Sequence, residues 1–203
     1  VEFPGSHGIK ELEYALTDLL GIPTARVWHQ AEDLGTPDFV VVPGGAAFGD
    51  VLRPGALCRA SRIAPELRRL GSHGTPMLGI GNGFQILCEI DVLPGSFLSN
   101  ANRGLLNSLV NLKLVSSECK LTEKLKVDNT FMLPLACFFG RYYADARTLV
   151  DLEESHQIVF KFCDEDGEIY DNPTFNGATK SIAGVTNKQR NVLGIIARPE
   201  RAV

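Results

Sequence analysis

Two short apolar runs, each closed by a glycine-rich turn, restrict this chain more than any other feature of it. Phe39-Val40-Val41-Val42 ends in Pro43-Gly44-Gly45, and Met77-Leu78-Gly79-Ile80 ends in Gly81-Asn82-Gly83. A continuous apolar run of this length, without alternation, suits a strand covered on both faces of a parallel sheet. Ala56 to Leu70, between them, has helical composition. The order is strand, helix, strand, and a crossover of this kind makes the two strands parallel. The chain is therefore read as α/β.

The flanking segments extend that reading. Ile9, Leu12, Leu16, Leu19 and Leu20 recur at helical spacing before Gly21, which predicts an amphipathic helix with a glycine cap. Arg26-Val27-Trp28 reads as a short strand. From Leu109 onward the rhythm becomes strand-dominated, with β-rich segments at 109–115, 157–163, 181–186 and 192–196 and a turn at Asp164-Glu165-Asp166-Gly167. The 203 residues, 44% of them hydrophobic, suffice for one sizeable core. No repeat, low-complexity tract or Gly/Ser linker marks a boundary, so a single domain over residues 1–203 is expected. The abrupt opening at Val1-Glu2-Phe3-Pro4-Gly5 reads as a chain shortened at a terminus.

Charge and cysteine usage exclude several classes of partner. The formal net charge is -4, which offers no basic field for nucleic acid or an anionic membrane. No apolar run approaches the roughly 20 residues that span a bilayer. Five cysteines, odd in number and without CxxC pairs or paired histidines, predict neither disulfides nor a metal site and point to a reducing, cytoplasmic setting. No cofactor is expected.

The chemistry is expected at Gly79-Ile80-Gly81-Asn82-Gly83-Phe84-Gln85-Ile86-Leu87, where an apolar strand turns through glycines into a helix-compatible run. A sharp strand-to-helix elbow raises one side chain above the sheet at a helix amino terminus, where free N–H groups stabilise a thiolate or an oxyanion. Here that position is Gly81, which has no side chain. The segment resembles the Gly-x-Cys-Asn-Gly-Phe-Gln elbow of the glutaminase subunit or domain of phosphoribosylformylglycinamidine synthase, a class I glutamine amidotransferase of purine biosynthesis. Other stretches match that family in order: Phe3-Pro4-Gly5-Ser6, Val27-Trp28-His29, Pro43-Gly44-Gly45 with Phe48-Gly49-Asp50-Val51-Leu52-Arg53, Leu93-Pro94-Gly95, Gly140-Arg141-Tyr142-Tyr143, Ile182-Ala183-Gly184-Val185 and Asn191-Val192-Leu193-Gly194, leading into Arg198-Pro199-Glu200-Arg201-Ala202. The similarity spans nearly the whole chain. It implies a three-layer α/β/α fold with a mostly parallel central sheet, flavodoxin-like in plan.

The resemblance also implies roles, residue by residue. The family's nucleophilic cysteine falls on Gly81, its histidine base on Arg198 and the glutamate that orients the histidine on Glu200; of the three only Glu200 is kept. Glycine supplies no sulfur, and arginine accepts no proton near neutral pH because its pKa exceeds about 12. Gly45 and Asn82 match positions whose backbone N–H groups form the oxyanion hole, and Gln85 matches a residue that contacts bound glutamine. Phe48 and Gly49 lie on a loop that in the family borders the glutamine pocket and faces the synthetase. Cys137-Phe138-Phe139-Gly140 stands where the family has a His-Gly-Glu-Gly loop that holds glutamine, so the two phenylalanines are expected to narrow or fill the pocket. Cys137 is the one cysteine placed to face it.

The remaining candidates have plainer readings. Cys88 reads as core, and Cys58, Cys119 and Cys163 as structural. His7, His29, His73 and His156 each stand without a metal-spaced partner and are read as surface or hydrogen-bonding residues. Arg59, Arg62, Arg68 and Arg69 read as a solvated helix face, and Glu200 with Arg198 as a local ion pair. The resulting expectation is an amidotransferase-like subunit that has lost glutamine hydrolysis and serves the synthetase subunit as a non-catalytic partner or regulator. The alternatives are an active amidotransferase supplying ammonia, with glutamine as its substrate, and a free-standing binding module outside purine metabolism.

Overall fold

A computed structural model describes residues 1–170 and 176–202. The apolar runs form β1 (Val40–Val42) and β2 (Met77–Ile80), and both are parallel neighbours, in register Val41 to Leu78. A later strand, β9 (Val192–Ile195), lies parallel on the other side of β2, with Leu78 opposite Leu193. Within the crossover between β1 and β2, the helix expected from Ala56 starts as a 3-10 turn, Ala56–Ala60, and becomes helix α2 only at Ala64–Ser72. Pro65 explains the late start: it sits in the first turn, where its missing N–H leaves nothing unsatisfied, whereas deeper in a helix it would break one.

Beyond β9 the sheet changes character. In spatial order it runs β1, β2, β9, then β8 (Ile182–Thr186), β7 (Ile158–Cys163), β4 (Leu106–Leu114) and β5 (Thr130–Cys137). The pairings from β9 to β5 are all antiparallel. The α/β class is as expected, but the sheet is mixed rather than mostly parallel. Connection length is the cause: β8 and β9 are separated only by residues 187–191, too few for a crossover, so they close as a hairpin. Pro134 lies in β5, at the sheet's edge, where a strand tolerates a residue without an N–H.

Three other elements depart from the sequence reading. Helix α1 spans Ile9–Glu13 and continues as a π-helical segment over Tyr14–Leu19, with Leu19 and Leu20 exposed and Gly21 at φ 67° ending it. The strand expected at 26–28 is reduced to one bridge, Glu2 to Trp28. Helix α4 (Ala146–Glu154) was not anticipated, although its signal is present: the Asp145 carboxylate accepts a hydrogen bond from the Thr148 N–H at 2.9 Å, and Leu149 and Leu152 follow at helical spacing.

The remaining helix, α3 (Asn82–Glu89), is buried along its whole length. Its Phe84 ring packs edge-on to Phe97 of β3 (Ser96–Leu98) at 4.8 Å, and Phe97 meets Tyr142 of β6 (Arg141–Tyr143) at 5.6 Å. Strands β3 and β6 form a separate two-stranded sheet. Each such fully buried large side chain contributes about 1.5–3 kcal/mol, so α3 is anchored from both sheets. Among the described residues no helix is long and apolar enough to cross a membrane.

Candidate active site

The elbow is held from two sides. Gly81 has φ 53° and ψ -110°, a conformation costly to any residue with a Cβ. Its N–H donates to the Ile195 carbonyl of β9 at 2.7 Å, and its carbonyl accepts from the Phe84 and Gln85 N–H groups of α3. On the opposite flank Gly83 lies so close to β1 that a Cβ there would stand 1.9 Å from the Val42 oxygen. Only glycine allows this approach. The start of α3 therefore sits above the carboxyl ends of β1, β2 and β9, the place where open α/β sheets bind ligands. Asn82 and Gly83 open the helix, the positions at which backbone N–H groups lack an intrahelical acceptor.

What stands over the elbow is Arg198. A Cβ built on Gly81 would meet Arg198 Cδ at 3.1 Å, and one built on Gly44 would meet the guanidinium carbon at 2.6 Å. The Arg198 side chain is 5% exposed and that of Glu200 3%. The guanidinium Nε–H donates to Glu200 Oε1, while Arg198 Nη2 and Glu200 Oε2 are buried without a hydrogen-bond partner. The Arg198 backbone N–H donates to the Pro134 carbonyl of β5 at 2.7 Å, so the sheet's curled edge fixes the chain that carries the pair.

Asn82 and Gln85 organise the surroundings. Asn82 Oδ1 accepts from the Ala47 N–H at 2.8 Å, and its Nδ2 donates to Asp50 Oδ1 at 3.1 Å and Gln85 Oε1 at 2.8 Å. Gln85 Nε2 donates to the Phe139 carbonyl. Burial pushes the Asp50 carboxyl above the usual carboxylate range, and the Asn82 hydrogen bond opposes that in part. Phe48, Gly49 and Asp50 all have positive φ, at 54°, 68° and 53°. The roof after β5 is tied down by Asn100, whose Oδ1 accepts from the Gly140 N–H at 2.8 Å and whose Nδ2 donates to the Cys137 carbonyl at 3.0 Å. Burial pushes the Cys137 thiol up to about 12.

The family model described as a CobB/CobQ-like glutamine amidotransferase domain matches residues 5–203. The chain belongs to that family. It is 37% identical over 202 residues to the phosphoribosylformylglycinamidine synthase subunit PurQ of Methanosarcina barkeri, covering 100% of this chain and 87% of the relative. It is 40% identical over 200 residues to the subunit of that name from Aquifex aeolicus, covering 98% of this chain and 88% of the relative. Among solved structures, a chain of PurLQS from Thermotoga maritima superposes with a TM-score of 0.84 at 30% identity, over 100% of this chain and 86% of that one.

Within this amidotransferase fold, the residues picked out from the sequence converge. Gly81, Arg198 and Glu200 meet above β2, Gly44 and Gly45 flank them from the end of β1, and Asn82 and Gln85 lie on the first turn of α3. Two details differ from expectation. The Arg198–Glu200 pair is buried, not a local surface pair, because the turn at 198–201 is folded under β5. Phe138 is turned outward and 44% exposed, so the elbow is filled by Arg198 and not by that ring. Gln85 is buried with both ends of its amide engaged. His29 is hydrogen-bonded, as one of its two readings had it, to Ser61 Oγ at 3.1 Å, and is buried with its ring stacked on Phe3.

Other residues follow the plainer readings. Cys58, Cys88, Cys119 and Cys163 are buried, and all five cysteines are free. Arg59 pairs with Asp91, Arg62 with Glu32 and Arg69 with Glu66, and Arg68 donates to the Ile90 carbonyl, so this row is engaged with its own chain. Among the described residues no group of three His, Cys, Asp or Glu could hold a metal. Asn100 and the Pro134 carbonyl were missed, and Asp50, named within the Phe48-to-Arg53 match, was given no role of its own. Nothing in the local sequence marks these roles, since each rests on a contact with a residue at least 30 positions away. A cleft of about 530 Å3 opens elsewhere, between α1 and residues 36–41; its lining includes no cysteine, serine or histidine.

Proposed function

We propose that this chain is a single amidotransferase-like domain of the purine pathway that does not hydrolyse glutamine and acts in the cytoplasm as a non-catalytic partner or regulator of a synthetase subunit. The carrying observation is Arg198 seated over Gly81. Hydrolysis through a thioester needs a sulfur to attack the amide carbon and a base to take up and return a proton. Gly81 provides no attacking atom. The Arg198 guanidinium, already donating to Glu200, provides no base.

A remnant oxyanion frame is supported by the opening of α3 at Asn82 and Gly83, where helical N–H groups lack an intrahelical acceptor, and by the close approach of the Gly44-Gly45 turn. Such a frame stabilises developing charge but does not form the covalent intermediate. Cys137 is a poor substitute nucleophile, because burial holds its thiol protonated near neutral pH. The names of the relatives, subunits of phosphoribosylformylglycinamidine synthase, support the pathway and the partner.

Two measurements test this reading. Purified protein incubated with glutamine is expected to release no glutamate, and a reconstituted mixture with the synthetase subunit is expected to use ammonia but not glutamine. Glutamate release that disappears after thiol alkylation would overturn the proposal, and loss of that release in Cys137→Ser would name the nucleophile.

A further inference from the structure

Strand β1 leads into a stretch where backbone strain is concentrated. Phe48, Gly49, Asp50 and Leu52 have φ of 54°, 68°, 53° and 71°, so four of the five residues from 48 to 52 are left-handed, and three of them carry a Cβ that disfavours it. A turn shaped by its own sequence would place glycine or asparagine at such positions. Phenylalanine, aspartate and leucine hold them only because surrounding contacts impose the conformation.

Those contacts come from distant parts of the chain. At the near end the Phe48 N–H donates to the Pro4 carbonyl at 2.7 Å, and the Phe48 ring stands edge-on to His29 at 5.3 Å. At the far end the Arg53 guanidinium makes a two-pronged pair with Glu89 of α3 at 2.6 and 2.9 Å. Between these anchors a single side chain holds the backbone in place. Asn82 Oδ1 accepts from the Ala47 N–H at 2.8 Å, and its Nδ2 donates to Asp50 Oδ1 at 3.1 Å. Among the described residues no other side chain is hydrogen-bonded to residues 49–52. Packing adds little resistance there, since Val51 is 54% and Leu52 81% exposed.

The holding residue cannot follow if the stretch moves. Asn82 is buried at the first position of α3, and its neighbour Gly83 lies so close to β1 that the start of the helix is pinned. Strained residues therefore pull against one fixed amide. We propose that residues 49–52 form a two-state strap, closed and strained while Asn82 holds Asp50, and open and relaxed when that bond breaks, with the rest of the domain still folded. Opening frees both ends of the Asn82 amide, so the strap acts as a gate that admits water to the start of α3 by a local motion.

Amide hydrogen exchange on the full chain tests this. The reporter is the Gly49 N–H, which donates to the Ala46 carbonyl at 2.8 Å and has no bond to Asn82. Asn82→Ala is expected to speed Gly49 exchange by about 10-fold or more, the effect of losing two hydrogen bonds, with the amides of β2 and β9 keeping their protection. Leu52→Asn leaves every bond in place and relieves strain, because asparagine tolerates positive φ; it is expected to slow Gly49 exchange about threefold and to offset part of the acceleration in the double variant. Unchanged Gly49 exchange in Asn82→Ala, or equal acceleration across β2 and β9, overturns the strap as a separate element. Wild-type exchange in Leu52→Asn overturns strain as what drives it open.

Discussion

The buried pair at the elbow permits a quantitative prediction. Arg198→Met keeps most of the side-chain length over Gly44 and Gly81 but removes the charge facing Glu200. With the two side chains 5% and 3% exposed, solvent cannot reach the stranded carboxylate, and breaking a buried pair from one side costs about 3–5 kcal/mol. For a chain of 203 residues, each kcal/mol moves Tm by roughly 2–4 °C, so the expected fall is about 6–20 °C. Removing both charges is different. Arg198→Met with Glu200→Leu leaves no ion unpaired and also eliminates the unsatisfied Nη2 and Oε2 atoms, so the double variant is expected within about 1 kcal/mol of wild type, or above it. Calorimetry and urea unfolding on wild type, both single variants and the double variant give the coupling directly. A single-variant loss under about 1 kcal/mol, or a double variant no better than Arg198→Met, would refute the claim that the pair is a buried structural clasp.

Three further outcomes follow from other parts of the site. Gly81→Cys alone is expected to release no glutamate, because the new Cβ would meet Arg198 Cδ at 3.1 Å and no base is present; adding Arg198→His supplies an imidazole beside Glu200, and only the double variant is expected to show alkylation-sensitive release. Asp50→Asn keeps the Oδ1 acceptor for Asn82. Burial raises the native Asp50 pKa, so ionisation costs native stability as pH rises through it; the variant is expected to have the higher Tm at pH 7 and to lose that advantage in acid. His29 behaves in the opposite sense. Burial lowers its native pKa below the ordinary value of about 6.5, so its contribution is complete above that value and declines as pH falls toward the native pKa, where the unfolded chain takes up the proton first. Urea midpoints between pH 5 and 8 should show this slope in wild type and a shallower one in His29→Gln.

Much of the framework was legible because its signals are local. The β1 and β2 runs, the glycine turns that end them and the β-rich segments that became β4, β7, β8 and β9 each follow from side-chain type within a few residues. So does the absence of sulfur at Gly81, which no arrangement of the fold can supply. Strand β5 was not legible, since Pro134 argues against a strand unless it lies at an edge, and edges are set by the whole sheet.

Sequence alone determined which chemical groups this chain can bring to the elbow, and it excluded the thiol and the imidazole there. Tertiary structure alone decided what took their place. Arg198 and Glu200 lie two positions apart and read as an ordinary surface pair; folding the last turn beneath Pro134 takes both out of water and sets the guanidinium over Gly81 and Gly44. Burial is a property of everything packed around a group, and the neighbours that bury this pair lie as far back in the chain as Gly8 and Gly44.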